Sequence, residues 1–387
     1  AIPGAVPRSA ASPAVHAATA PRLRVAAVDL IGEVRIPAGR TMLGTPLGGL
    51  SGITYDAARG VYYAVSDDRS SRAPARFYRL GIDVSETRVE RVVVAFTGVV
   101  TLTDTAGQPF ANGAIDPEGI ALAPGDRLFI SSEGDIAATP LVAPFVGEFG
   151  LDGRQRGALP LPAHVVPSGD GRRGARNNLV FEPLAVSRDG ATLFSGTENA
   201  LVQDGPLATL SAGSPSRLLM WDRATGQPAG ERVYPVSPIP AAPVPAGGSA
   251  DNGFVDVAAL DEVGTLLALE RSYAAGVGNT VRLFETGLTG ATDVSGRAAL
   301  DPEVGEPVPY TPMAKRFVAD IASLGARPDN IEGMAFGPPL PDGRWLLILV
   351  SDDNFNPSQV TQIVALALRV EAAIAGPVYL PRLGNAP

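Results

Sequence analysis

Acidic residues recur at matching positions in five segments of this chain of 387 residues. Each segment opens on a small or acidic residue, runs through a short apolar stretch, a turn and a second apolar stretch, and closes on an acidic cluster. The opening residues are Ser51, Glu118, Glu182, Asp256 and Glu332. The closing acids are Asp67, Asp68, Glu133, Glu198, Glu270, Asp352 and Asp353. Carboxylates are ligands that hard metal ions prefer, so this recurrence indicates a metal site.

The spacing within the segments predicts that both sets of acids lie on one face of the fold. The interval from opening to closing acid is nearly constant in three segments, from Glu118 to Glu133, from Glu182 to Glu198 and from Asp256 to Glu270. These intervals correspond to two strands and a turn, and the second strand of such a pair returns to the face from which the first began. In the last segment a proline-rich turn lengthens the interval.

Carboxylates that converge on an axis repel one another unless they take up protons, pair with cations or bind a metal. Calcium accepts about six to eight oxygen ligands in flexible geometry, which suits carboxylates delivered from separate segments together with water. We therefore predict a calcium ion on the axis, held by the five opening residues Ser51, Glu118, Glu182, Asp256 and Glu332. The alternative is that the acids form turns, or pair with arginines such as Arg69 and Arg271.

Nearby cations and amides extend the candidate site. Arg69 and Arg271 directly follow closing acids, so they are the best placed to contact an anionic group. The predicted catalytic residues are Arg69, Arg271, Asp353, Glu133 and Glu198. The predicted ligand-binding residues are Arg72, Lys315, Arg316, Asn330 and Asn354.

The intervals between segments predict the fold. Successive opening residues recur at a loose period of about 70 residues, which fits a four-stranded blade with long loops. A third apolar stretch follows each pair, and a fourth follows most of them, whereas the last segment runs out early. The stretch Leu23–Leu30 is placed to supply that missing strand. We expect an all-β protein, a β-propeller with five blades favoured over six, whose N-terminal strand closes the last blade.

One stretch departs from the strand pattern. Pro312 stands at the start of a run in which Phe317, Ile321 and Leu324 are spaced as on one face of a helix, and Gly325 follows. We therefore predict a helix inserted before the last blade.

Composition restricts the partners. The chain has Asp+Glu 40 against Lys+Arg 31, a net charge of −9, which disfavours nucleic acid. It has no cysteine and 2 histidines, which excludes thiol catalysis and a multi-histidine metal site. Its longest strongly apolar run, at 345–350, is too short to span a membrane. The expected partner is a small molecule, and the expected state is a monomer.

The N-terminal segment 1–21 is rich in alanine, proline and serine and shows no periodicity. It is typical of a flexible leader that remains after, or lies near, signal cleavage. We expect a secreted or periplasmic protein, with residues 22–387 forming one propeller domain.

The sequence resembles the phytase-like family, also described as having esterase-like activity of phytase. The resemblance covers about Val25 to Arg369. It is carried by Gly49-Leu-Ser-Gly-Ile, Asp116-Pro-Glu-Gly-Ile-Ala, Phe181-Glu-Pro-Leu-Ala-Val-Ser-Arg-Asp-Gly, Leu269-Glu-Arg-Ser and Asp329-Asn-Ile-Glu-Gly-Met-Ala.

This resemblance implies a secreted or periplasmic propeller that hydrolyses phosphoesters with its recurring acids. The axial order of serine, two glutamates, a variable position and glutamate also resembles five-bladed calcium-activated apyrases, which implies an axial calcium. Two residues depart from the family pattern, because Asp256 stands where glutamate is usual and Pro183 replaces a glycine.

These observations predict a calcium-dependent phosphoester hydrolase, a phytase-like phosphatase or phosphodiesterase that uses metal-bound water. Two alternatives remain open. One is a non-enzymatic propeller in which calcium locks the blades and the same face binds a small ligand or a protein. The other is a carboxyl-ester or lactone hydrolase.

Overall fold

Five four-stranded antiparallel sheets make up the computed structural model, which describes residues 20–301 and 309–373. The chain begins with β1 (Leu23–Pro37) and a small hairpin of β2 (Thr41–Met42) and β3 (Thr45–Pro46). Blade 1 contains β4 (Leu50–Asp56), β5 (Val61–Ser66), β6 (Arg76–Val84) and β7 (Val92–Thr101). Blade 2 contains β8 (Pro117–Ala123), β9 (Arg127–Ser132), β10 (Phe145–Gly150) and β11 (Gln155–Ala158).

The remaining three sheets follow the same plan. Blade 3 contains β12 (Phe181–Val186), β13 (Thr192–Thr197), β14 (Ser214–Asp222) and β15 (Pro228–Val236). Blade 4 contains β16 (Ala250–Ala259), β17 (Thr265–Ala274), β18 (Gly278–Gly287) and β19 (Ala314–Asp320). Blade 5 contains β20 (Ile331–Phe336), β21 (Trp345–Ser351), β22 (Val360–Ala372) and, as its outer strand, β1.

The blades close into a ring. The innermost strands β4, β8, β12, β16 and β20 contact one another in that order, and β20 contacts β4. The N-terminal strand β1 pairs antiparallel with β22, from Leu23 opposite Ala372 to Pro37 opposite Val360. The prediction of a five-bladed β-propeller closed by its N-terminal strand is confirmed. The predicted leader falls largely on residues 1–19, which lie outside the described residues.

The predicted helix at 312–325 is wrong. Half of this run is the strand β19, which pairs with β18 from Gly287 opposite Ala314 to Arg282 opposite Asp320. Only a single 3-10 turn, Ala322–Leu324, follows it. Pairing with the open edge of blade 4 satisfies the backbone of this segment, and such tertiary pairing overrides a weak helical pattern. In the described part of the chain no helix has the length and apolar character needed to cross a membrane.

Apolar side chains fill the space between neighbouring blades, with one core cluster for each of the five adjacent pairs. Successive residues of a strand point to opposite faces, so one strand serves two clusters. In β5, Tyr62 and Ala64 pack towards blade 5, whereas Tyr63 and Val65 pack towards blade 2. The cores between blades thereby fix each inner strand on both sides.

Glycines near the start of the innermost strands allow those strands to approach closely. A Cβ atom on Gly52 would lie 2.5 Å from the carbonyl oxygen of Glu118, and one on Gly119 would lie 2.7 Å from that of Glu182. Likewise, a Cβ on Gly333 would lie 2.8 Å from the carbonyl oxygen of Ser51. Each of these glycines follows an opening residue of the repeat. The close approach therefore brings the opening residues of adjacent blades together around the axis.

Gly119→Ala should lower the free energy of unfolding by about 1–3 kcal/mol, because the new methyl group overlaps the neighbouring strand. Denaturant unfolding measures this loss. Gly157→Ala in β11 of the same blade is the control, since a Cβ there meets nothing within 4 Å. Equal stability of the two variants would show that close strand approach does not constrain the ring.

Candidate metal centre

The strand register defines a ring of equivalent residues around the axis. In every blade a β-bulge interrupts the pairing of the two innermost strands, just after the first strand begins in blades 1, 2, 3 and 5 and five residues into it in blade 4. The pairs Leu50–Ser66 and Gly52–Val65 flank the bulge in blade 1, and Phe254–Glu270 does so in blade 4. We call the bulge residues the inner ring: Ser51, Glu118, Glu182, Val255 and Glu332.

A second ring is set by one recurring backbone hydrogen bond. In blades 1, 2, 3 and 5, the residue just past the second strand donates its N–H to the carbonyl two residues before the inner-ring residue, at 2.8–3.1 Å. In blade 4, Gly253 occupies that carbonyl position and pairs with Arg271. We call these residues the outer ring: Asp67, Glu133, Glu198, Arg271 and Asp352.

Blade 4 therefore departs from the sequence prediction by one residue at each end. Asp256 corresponds to the glycines that follow inner-ring residues, not to the glutamates. Its carboxylate accepts hydrogen bonds from the backbone N–H groups of Met334 at 2.6 Å and Val257 at 2.7 Å, and it does not line the cavity described below. The signal in the sequence was that the interval from Asp256 to its closing acid is shorter than in the other blades, whereas the interval from Val255 to Arg271 is not.

Glu270 is likewise turned away from the axis. It lies one residue before the outer ring, where the other blades have serine or threonine. Its carboxylate accepts from the Tyr234 hydroxyl at 3.0 Å and the Ser237 N–H at 3.1 Å, and it pairs with Lys315. Blade 4 contributes valine and arginine to the two rings where other blades contribute mostly carboxylates.

The rings surround a cavity of about 500 Å³ at one mouth of the axis. Acids form much of its wall, and amides and two arginines complete it. The lining residues are Asp67, Arg69, Glu118, Asn178, Glu182, Asp251, Arg271, Tyr273, Asn279, Asn330, Glu332, Asp352, Asn354, Asn356, Ser358 and Gln359. Ser51, a predicted ligand, is not among them, and its hydroxyl faces the carbonyl oxygen of Pro117 at 3.4 Å.

One group of acids has the geometry of a metal site. Asp116, Glu118 and Glu133 each offer a carboxylate oxygen, and these three oxygens lie within 4.8 Å of one another. Glu133 is only 1% exposed; its Oε1 accepts the N–H of Val180 at 2.7 Å, while its Oε2 has no hydrogen-bond partner. A buried oxygen without a donor is suited to coordinate a cation. We call Asp116, Glu118 and Glu133 the acidic triad.

Asp116 was absent from the residues predicted from sequence. It lies two residues before Glu118, and alternate residues of an extended chain point to the same side. That alternation was the available signal. The corresponding residue of blade 5 is Asn330, a predicted ligand-binding residue, which lines the cavity. Its amide donates to Glu332 at 2.9 Å and to Asp352 at 3.2 Å.

Crowding and loss of solvation hold the carboxyl groups that line the cavity or lie behind its wall towards their protonated forms; Asp116, Glu133 and Glu198 are among those behind the wall. Desolvation is the main cause, and neighbouring carboxylates add to it. The pKa is raised to about 8 for Asp67 and Glu133, to about 7 for Glu198, and to about 6 for Asp116. For Glu118, Glu182 and Asp352 the pKa lies well above its usual value for the same reason. The site therefore favours binding of protons or of other cations.

Two arginines supply positive charge at opposite sides of the cavity. Arg69 pairs with Asp116 at 2.6 Å and donates to the Asn178 side-chain oxygen at 2.7 Å, yet its side chain is 37% exposed. Arg271 is 13% exposed and pairs with Glu332 at 2.9 Å and Asp251 at 3.1 Å. The structure thus brings both arginines to the cavity, as the sequence indicated.

Three other predicted cations do not line the cavity. Arg72 lies over the ring of Phe355, 4.3 Å from its centroid. Lys315 and Arg316 belong to β19, the outermost strand of blade 4, and there Arg316 pairs with Glu285 at 2.5 Å. As part of a helical insertion these residues could have reached the cavity, but as part of β19 they lie at the outer edge of the propeller.

The adjacent acids Asp352 and Asp353 have different surroundings. Asp352 lines the cavity, and its carboxylate accepts the N–H of Asn354, a predicted ligand-binding residue that also lines the cavity. Asp353 was predicted to be catalytic, but it is 0% exposed and accepts from the Gly49 N–H at 3.0 Å and the Thr361 hydroxyl at 3.1 Å. Asp353 does not line the cavity, because successive residues of an extended chain point to opposite sides. Asp353 anchors the loop between β21 and β22.

Fold and site define a five-bladed β-propeller with an acidic axial cavity. A family model described as phytase-like, with esterase-like activity of phytase, matches residues 45–355. The chain belongs to this phytase-like family.

Several solved structures are similar to the chain at low identity. The luciferin-regenerating enzyme is 13% identical, with a TM-score of 0.37, over 87% of this chain and 95% of that one. The Dos1 propeller is 6% identical, with a TM-score of 0.35, over 84% of this chain and 69% of that one. A bifunctional GH43-CE protein of Bacteroides eggerthii is 11% identical, with a TM-score of 0.43, over 86% of this chain and 34% of that one. No curated protein matches the chain.

With metal chelated, the melting temperature should rise when the pH is lowered from 8 to 6. Asp67 and Glu198 have folded-state pKa values of about 8 and about 7, above the roughly 4 of an unfolded chain. Their protonation therefore stabilises the folded state most at low pH, and this contribution is lost as the pH rises through 7 to 8. Thermal unfolding in chelator across this range measures it. A melting temperature that falls on acidification would contradict the raised values.

Proposed function

We propose that this protein is a secreted or periplasmic, monomeric, calcium-dependent phosphoester hydrolase that binds a small phosphorylated molecule in the axial cavity. The observation that carries the proposal is the acidic triad beside Arg69: three convergent carboxylates next to a partly exposed guanidinium. Such a pairing of a cation site with an arginine suits a phosphoryl group, which both can contact.

The ligand set favours calcium among biological cations. The lining residues include carboxylates, amides and two hydroxyl groups, and neither histidine nor cysteine is among the residues that line this cavity. Oxygen ligands suit hard cations, and calcium tolerates irregular geometry with about six to eight ligands at about 2.3–2.6 Å. The triad supplies three side chains, and Asp67 offers a further buried oxygen that lacks a hydrogen-bond partner.

The residues of the cavity divide the work of catalysis. Bound calcium would supply Lewis-acid polarisation of a phosphoryl oxygen and would make water a better nucleophile. Arg69 binds the phosphoryl oxygens, because its guanidinium reaches the cavity and is oriented by Asp116 and Asn178. Asn354 also presents an amide to the cavity, where it orients the rest of the substrate.

Charge also limits the substrate. Acids outnumber the two arginines of the wall, and Arg271 is already engaged with Glu332 and Asp251. A substrate with many phosphates would meet strong repulsion, whereas one phosphate beside Arg69 and a cation would be neutralised. We therefore favour substrates with one accessible phosphate over polyphosphorylated ones such as phytate.

Carboxyl-ester hydrolysis is the second candidate, favoured by the family description of esterase-like activity. Phosphomonoester, phosphodiester and carboxyl-ester substrates, assayed with calcium and with chelator, separate the two. Calcium-dependent release of phosphate supports the proposal, and turnover of carboxyl esters alone supports the second candidate. Calcium binding without turnover of any substrate would instead indicate a calcium-stabilised binding protein.

Calcium should stabilise the folded state by mass action and so raise the melting temperature. At a free calcium concentration a hundredfold above the dissociation constant, the free energy of unfolding should rise by about 2.7 kcal/mol. Glu133→Gln should abolish most of this shift while keeping an oxygen for the Val180 N–H. Asp256→Asn is the contrasting variant: it should lower stability equally with and without calcium, because it turns one acceptor of backbone N–H groups into a donor. Calorimetry measures both. If calcium did not raise the melting temperature of Asp256→Asn, Asp256 would have to be a metal ligand.

Arg69→Gln should reduce kcat/KM for phosphate release about 10- to 100-fold, because one charge-assisted contact to the phosphoryl group is lost. Steady-state kinetics with calcium saturating measures the loss. Arg72→Gln is the matched control, since its guanidinium stacks on Phe355 and does not line the cavity. Unchanged kinetics in Arg69→Gln would place the phosphoryl group elsewhere.

A further inference from the structure

Blade 4 interrupts both rings of acids at one place. Where the other blades supply a serine or a glutamate to the inner ring, it supplies Val255, and where they supply an acid to the outer ring, it supplies Arg271. The charge at this outer-ring position is therefore reversed. A cation that belongs to the chain stands where a carboxylate stands in every other blade.

The guanidinium of Arg271 lies between acids from the two neighbouring blades. Its Nη2 is 2.9 Å from Oε1 of Glu332 in blade 5 and 3.9 Å from Oε1 of Glu198, which follows β13 in blade 3. Its Nη1 is 3.1 Å from Oδ1 of Asp251, at the rim. One nitrogen therefore bridges two buried carboxylates from separate blades, as a metal ion would.

A third buried acid lies near Arg271 but has an oxygen without a hydrogen-bond partner. Glu182, the inner-ring residue of blade 3, is 8% exposed and lines the cavity, and its Oε2 has no hydrogen-bond partner. Glu182, Glu198 and Glu332 all raise the pKa of Arg271 by their negative charge, so they lie around its guanidinium, and none of them belongs to the acidic triad. Three oxygen-bearing side chains around one positive centre are the beginning of a calcium coordination shell.

We propose that Arg271 occupies a second, latent divalent-cation site formed by Glu182, Glu198 and Glu332, so that the protein binds one ion and removal of the arginine opens a site for another. This inference rests on the proposed calcium site at the triad. The guanidinium is always charged and does not exchange, so it neutralises this side of the axis even when calcium is scarce. Only the triad side then depends on a bound ion.

A metal in place of the guanidinium would require the carboxylates to move inward. A calcium ion near the Nη2 position requires oxygens at about 2.3–2.6 Å, so Glu332 would move by a few tenths of an ångström. Glu198 would move further, through rotation of its side chain. Glutamine at position 271 removes the charge and opens space for the ion and for water, whereas lysine retains a cation beside the same acids.

Calcium titration calorimetry on the full chain tests the proposal. Wild type should bind one ion, Arg271→Gln two, and Arg271→Lys one. The control Arg72→Gln removes the same charge outside the cavity and should bind one ion. In chelator, Arg271→Gln should melt at a lower temperature than wild type, and calcium should raise its melting temperature by more.

Double variants assign the ions to their sites. Arg271→Gln combined with Glu198→Gln should lose the second ion and keep the first, and combined with Glu133→Gln it should keep only the second. One ion bound to Arg271→Gln, two bound to wild type, or failure of Arg271→Gln to fold even in millimolar calcium would each overturn the inference. No calcium bound to wild type would overturn the proposed function itself, which keeps the two failures distinct.

Discussion

Repulsion among carboxylates at the propeller axis is the constraint on which the rest of the structure depends. Negative charges removed from water and held a few ångströms apart disfavour folding unless something compensates them. The five apolar clusters between blades supply the cohesion that holds the inner strands in place despite this cost. Glycines such as Gly119 then bring the acid-bearing strands still closer. The free energy gained by packing between the blades must therefore offset the repulsion among the carboxylates that the ring brings together.

The repulsion between carboxylates is compensated differently in two parts of the cavity. On one side Arg271 is built in and is nearly enclosed by Glu332, Glu198 and Asp251. On the other side the triad has only the partly exposed Arg69, and Glu133 keeps an oxygen without a partner. The asymmetry matters for function, because a site can bind cation and substrate only where the chain has left its own charges incompletely satisfied.

How far the sequence predicted the site depended on the register of each repeat. The inner-ring acids of blades 2, 3 and 5 were found because each has a glycine or proline after the glutamate and an apolar strand beyond. Blade 4 broke this pattern with Val255, and the nearest acid, Asp256, was taken in its place. A slip of one residue turns a side chain to the other side of a strand, so this small error moved a predicted ligand onto backbone N–H groups.

The sequence by itself determined the repeat, the number of blades and the strand that closes the ring, because hydrophobic period and segment length are local properties that five copies reinforce. Only the tertiary structure decided which acids face the cavity, as Asp352 does, and which anchor loops, as Asp353 does. It also decided that Lys315 belongs to an outer strand, since local propensity contains no information about the open edge of blade 4 with which this segment pairs. The direction of a side chain relative to the axis follows from bulges and pairing partners distant in sequence, and no single segment encodes those.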